Sequence, residues 1–308
     1  MTDAAEPSSQ PPPQASLAAR LSSLVKLPHT VFGLPFALAA ALVAHKHATA
    51  SGTDGLTALR GVLIIAAFTF ARTAAMGFNR IVDRKIDKAN PRTADREIPR
   101  GAVSLRAAIA MTAGATLAFL GTAAALGSTA AMLSPVCLVV IFGYSFFKRF
   151  SSASHLVLGV ALSLAPAGAW VAVTGSLSPW PIPVLLMTAV ASWVAGFDIL
   201  YSLADEDFDR ERGLHSIPVR FGRLQAMIFS GALHGITAAA LVGFHILADL
   251  SVAHLVGVGI MSTLLAYEHW IVRPSDLSRL GKAFFDLNGW AALVYLASVT
   301  IDVLLLGS

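Results

Sequence analysis

Nine apolar blocks, each about 20 residues long, recur along the chain at 27–46, 57–79, 103–126, 129–147, 154–174, 181–204, 223–247, 251–272 and 284–306. A helix of that length, rising ~1.5 Å per residue, matches a hydrocarbon layer ~30 Å thick. An unsatisfied backbone group costs several kcal/mol in lipid, so a lone apolar block can cross only as a helix that closes its own hydrogen bonds. The pattern therefore predicts an all-α, polytopic membrane bundle of about nine transmembrane helices around a central cavity, forming one domain over residues 23–308. Composition agrees: 56% of the 308 residues are hydrophobic and 13% charged, against ~25% charged in a soluble domain. A water-soluble globule is excluded.

Residues 1–22 open with Pro, Ser, Ala and Gln, including Pro11, Pro12 and Pro13 in a row, and read as a disordered tail. They lack the charged start and apolar centre of a cleaved signal peptide. Cys137 is the one cysteine, which rules out an intrachain disulfide and a multi-cysteine metal site. The net charge of +4 is small and scattered, so nothing argues for nucleic acid, and no obligate protein partner is indicated.

Lysine and arginine set the expected orientation, because cytoplasmic loops carry the positive excess. With the amino terminus inside, 19 of the 22 basic residues fall on that side, leaving Lys46 and Arg60 outside and Arg72 within a span. Trp170, Trp180 and Trp193 are expected to anchor at interfaces or to pack. Asn288 is expected to make an interhelical hydrogen bond.

Asn79, Asp83 and Asp87 recur every fourth residue at the end of the second block, so a helix stacks them along one stripe. Arg72, seven residues before Asn79, extends that stripe two turns deeper, where an ionisable group is costly and marks function. A second constellation follows the sixth block: Asp198, Tyr201, Asp205 and Asp209, then Gly213, Ser216, Pro218 and Gly222. Tyr201, Asp205 and Asp209 again repeat by four. Two carboxylate ladders on one side of the membrane repel unless something cationic lies between them. Hard oxygen ligands suit Mg²⁺, which binds through one or two carboxylates plus substrate phosphate oxygens.

Arg84, Arg92, Arg96, Lys148, Arg149 and Arg210 lie on the same expected cytoplasmic side. Acid and base intermixed there suit a metal-bridged anion such as a diphosphate, whose oxygens Arg grips in pairs. Asp95, Glu97, Glu206, Asp207 and Glu211 fall outside the four-residue register and read as solvated, as do Arg273, Arg279 and Lys282. An ion- or proton-coupled transporter is the alternative of another class, since intramembrane acids also mark translocation paths. Motifs at one face rather than at mid-membrane favour a site instead.

At these residues the sequence resembles the UbiA-type family of intramembrane aromatic prenyltransferases. The first family signature is matched by Asn79, Asp83, Asp87, Arg92, Thr93 and Arg96, and the second by Asp198, Tyr201, Asp205, Asp209, Gly213, Ser216 and Pro218. The likeness continues at 29–35, at Lys148 and Arg149, and at Phe221 and Gly222, and covers nearly all of 24–306. Two departures are Arg80, where many members have Asp, and Arg96-Glu97-Ile98-Pro99 in place of Arg-Pro-Leu-Pro. The chain looks most like the 4-hydroxybenzoate polyprenyltransferase branch, some relatives of which are thought to serve a menaquinone pathway.

The resemblance implies Mg²⁺ held by Asn79, Asp83, Asp87, Asp205 and Asp209, bridging the diphosphate of a polyprenyl diphosphate. It implies transfer of the polyprenyl group to an aromatic acid such as 4-hydroxybenzoate, in quinone biosynthesis at the cell inner membrane. Basic side chains, Arg84, Arg149 and Arg210 among them, assist at the diphosphate. Arg72 is the expected partner of the acceptor's carboxylate, or else of Asp198. Asp198 is expected to orient or deprotonate the phenol, and Tyr201 to face the allylic cation or the diphosphate. His29 is expected to cap or pack the first helix.

Overall fold

The ends of the helices fall where the chain supplies polar caps. The computed structural model describes residues 16–25 and 32–306. Thr57 opens α3 (Ala58–Ala89) by accepting from Arg60 N at 3.2 Å, and Ser104 opens α4 (Leu105–Leu126) by accepting from Ala107 N at 3.2 Å. Each cap satisfies an amide that the first helical turn leaves without a partner. Before them come α1 (Leu17–Leu24) and α2 (Leu34–Ala50). After them come α5 (Ser128–Phe147), α6 (Ser154–Thr174), α7 (Pro181–Ser202), α8 (Glu206–Glu211), α9 (Ile217–Phe221), α10 (Arg223–Leu247) and α11 (Val252–Ile271). The described residues close with α12 (Leu280–Lys282), a π-helical turn (Ala283–Leu287), α13 (Asn288–Ile301) and a second π-helical turn (Asp302–Leu306). No β-strand occurs among the described residues.

Helices fall on all nine apolar blocks, but seven of the described helices are long and apolar enough to cross a membrane. The seven do not include α2, which has 17 residues, or α11, which carries His254, Glu268 and His269. Seven of the nine blocks thus carry a described helix that meets the length and apolarity of a crossing, and the other two blocks are helical as well. His29 and residues 1–15 of the expected tail lie outside the described residues. Residues 17–22 form part of α1. Leu24 and Val25 pack against Val103 and Ala108, an apolar anchorage that the polar composition of the segment conceals.

α3 is the element that sets the site. Its 32 residues span ~48 Å at ~1.5 Å each, about 18 Å more than a hydrocarbon layer. Its last turns, which carry Asn79, Asp83 and Asp87, can therefore stand clear of the apolar layer on an unbroken helix. α7 is the most buried span and packs between α6 and α10. Trp170 and Trp193 are fully buried and pack in the core, while Trp180 is exposed. α6 and α7 approach so closely at Gly159 that a Cβ there would lie 2.2 Å from the backbone oxygen of Ala191. Small residues permit such contacts between membrane helices.

The second ladder does not lie on one continuous helix. A 3₁₀ turn, Leu203–Asp205, separates α7 from α8, so Tyr201, Asp205 and Asp209 lie on α7, on that turn and on α8. The rest of that motif is turn chemistry. Gly213 adopts φ 65°, a left-handed conformation that glycine allows, and Ser216 caps α9 by accepting from Val219 N at 3.4 Å with Pro218 in the first turn.

Candidate active site

Two cavities meet at the ends of α3, α5 and α7. The polar one, of about 230 Å³, is lined by Asn79, Asp83 and Asp87 from α3 and by Asn90, Arg92, Thr93 and Arg96 from the loop that follows. α5 and the residues just after it supply Tyr144, Ser145, Lys148 and Arg149, α6 supplies His155, and α7 with its continuation supplies Asp198, Tyr201, Asp205 and Asp209. The apolar cavity, of about 540 Å³, is walled by side chains such as Phe68, Phe119, Cys137, Ile141, Leu162 and Phe197. Asn79, Arg96, Tyr144, Leu158, Asp198 and Tyr201 line both, so the two are continuous. Leu133 and Val136 of α5 line the apolar cavity and are exposed.

Each of the four ladder carboxylates has its own basic partner. Arg149 Nη2 lies 2.8 Å from Asp83 Oδ1, Arg96 Nη1 2.6 Å from Asp87 Oδ1, and Lys148 Nζ 2.9 Å from Asp209 Oδ1. Arg92 grips Asp205 with both Nε, at 2.8 Å from Oδ1, and Nη2, and its Nη1 donates to the Tyr201 hydroxyl at 2.9 Å. Its guanidinium also lies 5.0 Å from the centre of the Tyr201 ring. Burial works against the charge on Arg92, yet the hydrogen bonds and attraction of Asp205 outweigh it and hold its pKa above the usual value. Asn90 Nδ2 adds a bond of 3.1 Å to Asp205, and Asn79 Nδ2 donates to Asp83 Oδ2 at 2.9 Å.

Among the described residues no three acidic, histidine or cysteine groups converge into a ready-made metal set. The five expected ligands are split between two helix ends, and each carboxylate is neutralised by a basic neighbour. The donor chemistry nevertheless fits a hard divalent cation. The cavity offers oxygen ligands, and Asp87 Oδ2 and Asp209 Oδ2 are buried with no hydrogen bond, which is costly for an anionic oxygen.

Arg72 lines the apolar cavity, as its place on the stripe predicts. Asp198 is bound to a residue that sequence reasoning passed over: His155 Nδ1 lies 2.7 Å from Asp198 Oδ2. Arg84 and Arg210 line neither cavity. Arg84 donates to Ile81 O at 2.8 Å, and Arg210 to Glu206 Oε1 at 2.8 Å. Glu206 and Glu97, expected to be solvated, are buried. Glu206 also accepts from Arg223 Nε at 2.6 Å, and Glu97 accepts from Ser23 of α1. Asn288 makes the expected interhelical bonds, accepting from Trp193 Nε1 at 2.7 Å and donating to Glu268 at 3.1 Å. Asn90, Tyr144, Ser145 and His155 are the cavity residues missed. Tyr144 and Lys148, and Ser145 and Arg149, repeat the four-residue spacing, a signal that was present in the sequence.

Residues 33–292 match the description of the UbiA prenyltransferase family. The chain belongs to that family. Curated UbiA relatives include the 4-hydroxybenzoate octaprenyltransferase of Vibrio parahaemolyticus, 31% identical over 70% of this chain and 75% of that protein. The enzyme of the same description from Xanthomonas euvesicatoria is 30% identical over 81% of this chain and 82% of its own length. The apo structure of a UbiA homolog from Aeropyrum pernix K1 superposes with TM-score 0.80 at 33% identity, covering 89% of this chain and 97% of that one. A UbiA homolog from Archaeoglobus fulgidus, solved with GPP and Mg²⁺, shares the fold with TM-score 0.65 at 18% identity over 91% of this chain and 99% of its own.

Proposed function

We propose that this UbiA-family prenyltransferase moves a polyprenyl group from a polyprenyl diphosphate to an aromatic acid such as 4-hydroxybenzoate, as a Mg²⁺-dependent step of quinone biosynthesis. The site opens to the cytoplasm from a multi-pass protein of the cell inner membrane, as the positive charge of the loops argues. One observation carries the reading: a cavity of paired acids and bases runs directly into an apolar chamber, through Asp198 and Tyr201. That is the shape of a substrate with a diphosphate head and a hydrocarbon tail.

In this reading Arg92, Arg96, Lys148 and Arg149 bind diphosphate oxygens, as fixed cations where negative charge develops when the allylic C–O bond breaks. Asp83, Asp87, Asp205 and Asp209, with Asn79, would hold Mg²⁺, which would supply Lewis-acid neutralisation of the leaving group. The Tyr201 ring is stacked on Phe284 at 4.1 Å between centres with the Arg92 guanidinium over it, so Tyr201 offers its hydroxyl hydrogen to the diphosphate. Arg72 pairs with the acceptor's carboxylate. Asp198 takes the phenol proton as the ring carbon ortho to the hydroxyl attacks the allylic carbon; the ring then rearomatises by giving its carbon-bound proton to the departing pyrophosphate, and Asp198 returns the first proton to the oxygen. The apolar walls keep water from trapping the cation.

Purified protein in detergent is incubated with labelled polyprenyl diphosphate, Mg²⁺ and a panel of 4-hydroxybenzoate, a hydroxynaphthoate and homogentisate, and products are scored by mass spectrometry. Prenylated 4-hydroxybenzoate with release of pyrophosphate is expected. Absence of pyrophosphate release with every acceptor overturns the reading and returns the transporter.

A further inference from the structure

We infer that His155 is a positioning residue for the aromatic acceptor, acting through Asp198. The inference rests on the proposed role of Asp198 at the acceptor's hydroxyl. His155 stands in the first turn of α6, Asp198 on α7, and Ile217 at the start of α9, and the imidazole ties the three together. Its side chain is 4% exposed, against 25% for that of Asp198. On one side Nδ1 lies 2.7 Å from Asp198 Oδ2. On the other, the amide of Ile217 donates to Nε2 at 3.4 Å.

The two contacts decide the tautomer. A nitrogen that accepts from an amide carries no proton, so the proton of a neutral ring sits on Nδ1 and is donated to Asp198. The donor is buried and rigid, and the acceptor of its bond lines the junction of the two cavities. A carboxylate held by one oxygen in this way keeps one orientation, with its other oxygen left for a substrate hydroxyl. His155 thus does for Asp198 what an outer partner does for a ligating or catalytic side chain: it fixes direction. The same ring also braces α9, through Ile217, and a merely structural role would rest on that contact instead.

Two near-isosteric substitutions separate the roles. In His155→Asn the amide nitrogen replaces Nδ1 and still donates to Asp198, but the contact with Ile217 is lost. In His155→Gln the amide oxygen replaces Nε2 and still accepts from Ile217, but the donor to Asp198 is lost. Steady-state constants for 4-hydroxybenzoate and for geranyl diphosphate are measured for both, for His155→Leu and for Asp198→Asn, with melting temperatures in detergent.

His155→Gln and His155→Leu are expected to lower kcat/KM for the acceptor by roughly ten- to a hundredfold, the loss of one hydrogen bond to a charged group, with the donor KM within about twofold. His155→Asn is expected to restore most of it. A damaged Asn variant beside an active Gln variant overturns the inference in favour of bracing through Ile217. So does a Leu variant whose acceptor constants are unchanged, or a loss that falls equally on donor and acceptor and tracks the melting temperature. If Asp198→Asn leaves the acceptor constants untouched, the role given to Asp198 fails. If Asp198→Asn is impaired while His155→Leu is normal, the role of His155 alone fails.

Discussion

Asp205 illustrates how tightly the cavity's charges are matched. It accepts from Arg92 and Asn90, and Arg92 in turn holds the Tyr201 hydroxyl. Asp205→Ala removes a proposed metal ligand and frees a guanidinium beside the ring. Asp205→Ala and Asp83→Ala are each expected to abolish Mg²⁺-dependent transfer while the protein still elutes as a folded species in detergent, and retained turnover in both would sink the metal assignment. Arg72→Ala is expected to raise the KM for 4-hydroxybenzoate by about tenfold or more, the cost of one charge-assisted hydrogen bond, with little change for the donor. Arg84→Ala and Arg210→Ala are expected to leave both KM values within about twofold, since surface ion pairs contribute ~0–1 kcal/mol. Helical geometry explains why these two miss the cavity. Each stands one residue beyond a ladder aspartate, Asp83 or Asp209, and one residue on a helix turns the side chain by ~100°. The four-residue register thus contained the information that excludes them, whereas a count of nearby basic residues concealed it.

α3 and the segment that follows α7 carry the same sequence spacing in different ways. In α3 the spacing by four runs along one helix, and the stripe read from the chain is the stripe observed. After α7 the backbone tightens into a 3₁₀ turn at Leu203–Asp205 before α8, so the same spacing runs across a change of helix type. Nothing local distinguishes them, because Leu203 turns inward to meet Ile199, Ile217 and Val272, which belong to other parts of the chain. Glu97 and Glu206 escaped notice for the same reason, since their partners Ser23 and Arg223 lie 74 and 17 residues away. Close helix contact also makes a test. Gly159→Leu places a side chain against the backbone of Ala191, and overpacking of this kind costs ~1–3 kcal/mol. The melting temperature in detergent is expected to fall by several degrees, whereas Gly168→Leu, where a Cβ meets nothing within 4 Å, is expected to change it little.

The polar and apolar cavities make one chamber, and its charge balance bears on how ligands enter. Four acid–base pairs already satisfy one another, so a free cation must displace a basic side chain and a free diphosphate must displace a carboxylate. Supplied together, the two exchange partners with all four pairs at once. Calorimetry is expected to show Mg²⁺ binding at least about tenfold more tightly when pyrophosphate is present, with the reciprocal gain for pyrophosphate that linkage requires. Independent binding of the two would show that the pairs do not oppose entry.

Hydropathy and helical register are local properties, and they were enough for the all-helical membrane architecture, the stripe from Arg72 to Asp87 and the four ladder carboxylates. They also placed a helix on each of the nine blocks, seven of which are long and apolar enough among the described residues to cross a membrane. Which bases meet which acids, and the bond between His155 and Asp198, follow from the packing of α5, α6 and α7 around one cavity. Apart from Arg96 and Asp87, 9 positions apart, those contacts join residues between 43 and 113 positions apart. Partnership over such distances is set by which helix faces are neighbours, and no periodicity along the chain encodes it.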